Sequence, residues 1–296
     1  MSLFQTLGFI ANHPLNKDHK AAAIMRFIRW QAGSRILQKP IVYEWLPGAK
    51  VVLRNGDTGM TQNLYCGLHD FHDMAYLLHM ISPQDIFIDI GANVGSYTVL
   101  ACGARGARGY CFEPIPSTYT RLLDNIFINN LQSKVVALNL GLSDQDDELH
   151  FTSRGDTVNH ILAENESTAD SVSVPVRSLD SVLSSELPTM MKIDVEGYET
   201  KVLAGAHETL SKPSLHSIIM ELNGSGNRYG FDEGKILAMM GDYGFMTYDY
   251  DPIRRQLHAL GGKNNSHGNT LFIRNADSLQ EKLMQAPRMT IGQTVF

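Results

Sequence analysis

The segment Asp89-Ile90-Gly91-Ala92-Asn93-Val94-Gly95 constrains this chain more than any other, because it lies between the apolar run Ile86–Ile90 and a stretch of helical spacing that begins near Tyr97. A strand that passes into a helix through two glycines is the entry to a βαβ unit. Gly91 and Gly95 let the backbone turn tightly and approach a ligand closely, and Asn93 is among the few other residues that tolerate a left-handed conformation. Such a bend can cup a nucleoside-bearing ligand.

The spacing departs from the dinucleotide fingerprint G-x-G-x-x-G, whose second glycine admits a pyrophosphate to the helix N-terminus. An acidic residue, Asp89, closes the strand instead. A carboxylate there suits a positively charged ligand, such as the sulfonium and ammonium groups of S-adenosylmethionine, better than an anionic diphosphate. The next apolar run ends in Cys111-Phe112-Glu113-Pro114, which puts a second carboxylate at the neighbouring strand tip, where Rossmann-type sheets bind ribose hydroxyls. Asp89, Gly91, Asn93, Gly95 and Glu113 are therefore the expected cofactor residues. Ser143 and Asp144 follow the third strand, where they either reach an adenine edge or form a turn.

From Asp85 onward, short apolar runs alternate with helical stretches, the pattern of a parallel sheet. Strands are predicted at 86–90, 109–112, 135–140, 190–195, 217–222 and 270–273, with more at 148–153 and 171–176, and helices near 97–103, 116–130, 198–210 and 232–243. The expected fold class is α/β: a Rossmann-like, mostly parallel seven-stranded sheet with helices on both faces. An N-terminal extension over 1–79 precedes the catalytic domain at 80–275, and a tail follows at 276–296. Within the extension, residues 16–37 read as a basic amphipathic helix, for an anionic membrane surface or for docking on the protein's own core or a second subunit. Residues 41–65, with Pro47-Gly48, Asn55-Gly56 and Thr58-Gly59, read as a small β-rich cap, followed by a helix at 71–80.

A second polar strand end is Met191-Lys192-Ile193-Asp194-Val195-Glu196-Gly197. Alternation puts Lys192, Asp194 and Glu196 on one side, beside the crevice where open α/β sheets bind ligands. The following strand ends in Glu221-Leu222-Asn223. Asp194, Glu196 and Glu221 are the candidate catalytic carboxylates: one serves as base for a substrate hydroxyl, or Asp194, Glu221 and Asn223 hold a divalent cation such as Mg²⁺. His160 and His267, in loops, are further acid–base candidates. The group His69-Asp70-Phe71-His72-Asp73 lacks an H-E-x-x-H pattern, and Asp70 reads as a helix cap.

Composition limits the partners. A net charge of −6 and a pI near 6.0 give no broad field for phosphate backbones, and no apolar run approaches a membrane span. Nucleic acid is not expected, nor is a transmembrane segment. Three cysteines without paired spacing suggest neither disulfides nor a zinc site, and a start without a secretory pattern points to the cytoplasm. A homo-oligomer is compatible with the sequence.

At these residues the sequence resembles the FkbM-type methyltransferases, which pair a D-x-G-A-N-x-G loop with a later K-x-D-x-E-G strand end. The resemblance runs from about Leu64 to Ile273 and takes in Arg177-Ser178-Leu179-Asp180-Ser181 and Asn269-Thr270-Leu271-Phe272. It implies a class I methyltransferase sheet, S-adenosylmethionine as donor, and O-methylation of a sugar, glycan or secondary-metabolite hydroxyl. It carries cofactor binding onto Asp89, Gly91, Asn93, Gly95 and Glu113 and places Asp194 and Glu196 at the active site. The alternatives are a nucleic-acid methyltransferase, for which the D/N-P-P-aromatic stretch is missing at 194–197, and a non-catalytic or NAD-binding Rossmann module. Acceptor identity is expected to rest on the loops at 154–170 and 224–231.

Overall fold

Burial on both faces dictates near-continuous apolar strands, and the chain supplies them. The computed structural model describes residues 2–153, 155–163, 166–266 and 268–296. Helices α1 (Leu3–Asn12) and α2 (Lys20–Leu37) lead into a hairpin of β1 (Ile41–Leu46) and β2 (Ala49–Leu53), then α3 (Gly59–Cys66) and α4 (Phe71–Met80). The central sheet follows: β3 (Ile86–Ile90), β4 (Arg108–Phe112) and β5 (Val135–Leu138) on one wing. A small three-stranded sheet of β6 (Gly141–Leu142), β7 (Asp147–Thr152) and β8 (Ser171–Arg177) branches off before β9 (Met190–Ile193) and β10 (Ser217–Glu221) resume the main sheet. Its far wing is β11 (Met246–Asp251), β12 (Gln256–Ala259) and β13 (Asn269–Ile273).

The strand order is β12-β11-β13-β10-β9-β3-β4-β5, and β10, β9, β3, β4 and β5 are parallel while β13 runs antiparallel between β10 and β11. This is the class I methyltransferase arrangement, extended by one hairpin strand, β12. The sheet thus has eight strands where seven were expected; β11 and β12 carry alternating polar residues, Asp249, Asp251 and His258 among them, that hide their strand character. The order reverses between β3 and β9, so the crevice above their carboxyl ends is the topological switch point.

Alternate residues feed two cores. Phe87, Ile219 and Leu271 join Trp30, Trp45 and Tyr76 in one cluster, whereas Ile88, Met191 and Met220 pack with Leu179, Val202 and Ile236 on the other face. Residues on both sides of position 79 share the first cluster, so the extension covers one face of the sheet. α2 buries Ala23 and Trp30, and its Arg26 donates to Asn16 and to the Tyr65 carbonyl. Hydrogen bonding outside local pattern explains several differences from expectation. The helix expected over 16–37 begins at Lys20, and a further helix, α1, precedes a turn in which Asn16 donates to the Ile10 and Tyr65 carbonyls. Residues 59–66 are helical and not part of a β cap. The helix expected over 198–210 breaks at Gly205, where a Cβ would come within 2.0 Å of the Ser143 carbonyl oxygen. The tail ends in a short hairpin that buries Phe296 against Phe71 and His79.

Candidate active site

Above the switch point the β3 bend is fixed by backbone constraints. Gly91 has φ 76°, and a Cβ there would fall 1.8 Å from the Asp194 carbonyl oxygen, so the bend and the β9 tip touch backbone to backbone. Asn93 (φ 50°) and Gly95 (φ 88°) complete the left-handed run, and the Gly91 and Ala92 amides both donate to the Phe112 carbonyl. Asn125, fully buried in the helix Pro116–Ile128, donates to the Val94 carbonyl and accepts from the Val52 amide, both at 2.7 Å. This side chain ties the bend to the N-terminal hairpin. Nothing local in the sequence signals it.

The two strand-tip carboxylates are buried and engaged. Asp89 Oδ2 accepts from the Thr98 amide at 2.9 Å and its hydroxyl at 2.6 Å, so this carboxylate also steadies the helical turn that follows the bend. Burial raises its pKa to about 6 against those bonds and the nearby Lys192 charge. Glu113 receives the Asn93 amide on one oxygen and the Ile115 amide on the other, and burial lifts it to about 7. Beside Glu113 lies a narrow slot of about 60 Å³ walled by Phe112, Ile115, Leu142 and Phe151. Ser143 and Asp144 do not line it: the Ser143 hydroxyl donates to Asp144, whose other oxygen pairs with Lys201 at 2.6 Å. Both lie between β6 and β7.

At the β9 tip, regular strand ends at Ile193, and alternation therefore does not place Glu196. A left-handed Glu196 (φ 54°) before Gly197 (φ 102°) turns the chain back instead, and Asp194, Glu196 and Glu221 each present a carboxylate oxygen within 4.8 Å of the others. A non-glycine residue is uncommon in that conformation, and this one stands at a cluster of acids. Lys192, only 2% exposed, donates to Asp194 at 3.0 Å and to Asn269 at 2.9 Å and lies 5.5 Å from the Tyr97 ring centroid. Burial works against its charge, but Asp194, Glu221 and Asp70 outweigh that and hold its pKa above the ordinary value. Burial, with Asp194 next in size, pushes Glu221 up to about 8. Asn223 stands apart: it is exposed, and its side-chain oxygen accepts from the Ser225 amide and hydroxyl, so Glu196 takes the place expected for it in the trio. His160 lines neither the slot nor the larger cavity, and its ring is held by Glu166 at 3.1 Å and by the Val158 carbonyl. His267 lies outside the described residues.

Next to the trio opens a larger cavity of about 630 Å³. Gly91, Asn93, Thr157, Asp194 and Glu196 face both it and the slot, so the two form one crevice. Its outer wall comes from Phe9, His13, Gln62, His69, Phe71 and His72, with Asp249 beside His72 and Asn269 beside Asp73. Thr157, in the loop at 154–170, lines it, whereas no described residue of 224–231 does. Asp70 stands at the N-cap position of α4 but makes no side-chain cap; the Tyr97 hydroxyl donates to it at 3.2 Å, and Asn269 links Lys192 to Asp73. The group at 69–73, read from sequence as a local cap, faces the cavity.

A family model described as "Methyltransferase FkbM domain" matches residues 89–247, more than half of the chain. The chain belongs to that family. It is 29% identical over 150 residues to the hexuronic acid methyltransferase AglP of Haloferax volcanii, covering 50% of this chain and 59% of that protein. It is 24% identical over 234 residues to the 31-O-demethyl-FK506 methyltransferase FkbM of Streptomyces tacrolimicus, covering 67% of this chain and 86% of that one. Among solved structures, the methyltransferase FkbM from Methylobacillus flagellatus KT aligns over 83% of this chain and 59% of its own, with 15% identity and a TM-score of 0.42. The matched region contains the bend, the slot and the acidic trio; Phe9 to Asp73 lie before it and Asp249 and Asn269 after it. Among the described residues, no helix is long and apolar enough to cross a membrane.

Proposed function

We propose that this chain is an S-adenosylmethionine-dependent methyltransferase that methylates a hydroxyl of a sugar, glycan or secondary metabolite. The observation that carries the reading is one crevice with an apolar slot and carboxylate at one end and a cluster of acids at the other. The residues fit the donor. Glu113 beside the apolar walls suits ribose hydroxyls and a base, and Asp89 with Asp194 suits a sulfonium and an ammonium group. Relatives named for methylating a hexuronic acid and 31-O-demethyl-FK506 support a hydroxyl-bearing acceptor.

When bound, S-adenosylmethionine supplies a methyl carbon already activated toward displacement, so the protein mainly has to align the acceptor and remove a proton. Glu221 is suited to that removal. Its pKa of about 8 makes it a strong enough base to accept a hydroxyl proton near neutral pH, and Asp194, locked by Lys192, stabilises the protonated form. Glu196 adds negative charge that favours the same uptake. Lys192 already sets a positive charge against the trio through Asp194, so removal of metal by a chelator is expected to leave turnover unchanged; loss of turnover restored by Mg²⁺ would assign the trio to a metal. The donor assignment is tested by thermal unfolding: millimolar S-adenosylhomocysteine raises the melting temperature and NAD does not. A shift with NAD alone would favour the dinucleotide-binding alternative.

A further inference from the structure

Helix α2 has two apolar faces, and the fold uses one of them. Ala23, Phe27 and Trp30 share the face turned to the core, at helical spacing. Opposite them, by the same repeat of 3.6 residues, run Ala21, Met25, Ile28, Ala32 and Ile36, all exposed, Ile28 at 51% and Ile36 at 80%. Exposed apolar side chains standing singly are ordinary on a protein surface, but these five in register make a stripe roughly 22 Å long that faces water. A helix resting on a soluble core normally puts polar residues there. Helix α1 packs against α2, and its Leu3 and Phe4 are exposed as well, Phe4 at 86%.

Positive charge gathers at the same place. The first 40 residues carry six lysines and arginines against the single acid Asp18, whereas the whole chain is at −6, so everything after them is strongly acidic, at −11. Arg26 is turned inward to Asn16 and the Tyr65 carbonyl, but Lys17, Lys20, Arg29, Arg35 and Lys39 are exposed. By helical spacing Arg29 and Arg35 border the stripe on opposite sides. Among the described residues none of these five cations is in an ion pair; Lys20 and Arg35 donate only to neutral oxygens, of Asn12 and Gln31.

An apolar stripe bordered by cations is complementary to an anionic bilayer. The stripe enters the acyl boundary while the flanking guanidinium and ammonium groups reach the headgroups. A second copy of the chain fits less well, because a two-fold contact sets the same five cations against themselves. We propose that the chain docks on an anionic lipid bilayer through the exposed face of α2. The helix then lies in the plane of the interface while its other face stays on the core. Phe9 of α1 walls the larger cavity, so the docked helix and the crevice share a neighbour. Docking does not depend on the methyltransferase reading.

Flotation of the full chain with lipid vesicles tests this, using phosphatidylcholine alone and phosphatidylcholine mixed in equal parts with phosphatidylglycerol. Binding to the mixed vesicles is expected to exceed binding to phosphatidylcholine by about ten-fold or more and to weaken as salt is raised. Ile28→Glu/Ile36→Glu puts charge into the stripe and leaves the core face untouched, so it abolishes flotation with an unchanged melting temperature. Arg29→Gln/Lys39→Gln lowers the preference for the anionic vesicles. Phe127→Glu, at an exposed apolar residue of the helix Pro116–Ile128, leaves flotation unchanged. The proposal is overturned if the chain does not float with the mixed vesicles, if it floats equally with both kinds, if Ile28→Glu/Ile36→Glu still floats, or if Arg29→Gln/Lys39→Gln keeps the full preference. A lipid-free dimer in sedimentation velocity that Ile28→Glu/Ile36→Glu dissociates overturns it too, since the stripe then faces a second copy.

Discussion

The two halves of the crevice are built in different ways. The half proposed for the donor is made within residues 89–247 by backbone: left-handed turns at Gly91, Asn93 and Glu196, and amides that hold Glu113. The half proposed for the acceptor is made by side chains that arrive from α1, α4, β11 and β13, mostly outside that region. A backbone-built site tolerates little change, because each turn requires one residue type. A side-chain wall can be rebuilt residue by residue while the sheet beneath it stays the same, which lets one donor site serve many acceptors.

That contrast is open to mutation. The largest effect is expected at Gly91: alanine there collides with the Asp194 carbonyl and strains φ, so Gly91→Ala abolishes S-adenosylhomocysteine binding and lowers the melting temperature. A variant that bound the ligand normally would show that the two strand tips need not touch. Next is Glu221→Gln, expected to lower kcat by about 10²-fold or more while sparing donor affinity. With Glu221 ionising near 8, the wild-type kcat rises with pH up to that value, since the base works only when deprotonated, and the variant loses this limb. An unchanged pH profile in the variant would move the base elsewhere in the crevice. Smaller still is Asn125→Ala, which strands the Val94 carbonyl and the Val52 amide and costs about 2 kcal/mol in denaturant unfolding. Equal stability would mean that the hairpin does not brace the bend.

The same contrast decides what was legible in the sequence. Gly91, Asn93 and the strand-end acids Asp89, Glu113, Asp194 and Glu221 carry local signals, a turn chemistry or a strand terminus, and the structure brings them to one crevice, with Gly95 packed behind it against Leu122. Ser143, Asp144, Asn223 and His160 carried only chain proximity, and neighbouring partners, Lys201, Ser225 and Glu166, hold them instead. The Lys192–Asn269–Asp73 chain joins residues far apart in sequence through the sheet and α4, so no window of the sequence displays it. Asp249 escaped notice for a related reason: β11 alternates polar residues at the edge of the sheet and does not read as a core strand. The eighth strand likewise depends on its pairing partner and not on propensity.

The central claim is that one continuous crevice, from the slot beside Glu113 to the trio at Asp194, holds the methyl donor. A crystal structure of the full chain with S-adenosylhomocysteine tests it most directly. The account predicts the adenosine between Glu113 and Leu142 and the sulfur end against Asp194, with Gly91 and Asn93 beneath. Ligand density elsewhere on the protein, with the slot closed by its own side chains at saturating ligand, would contradict it.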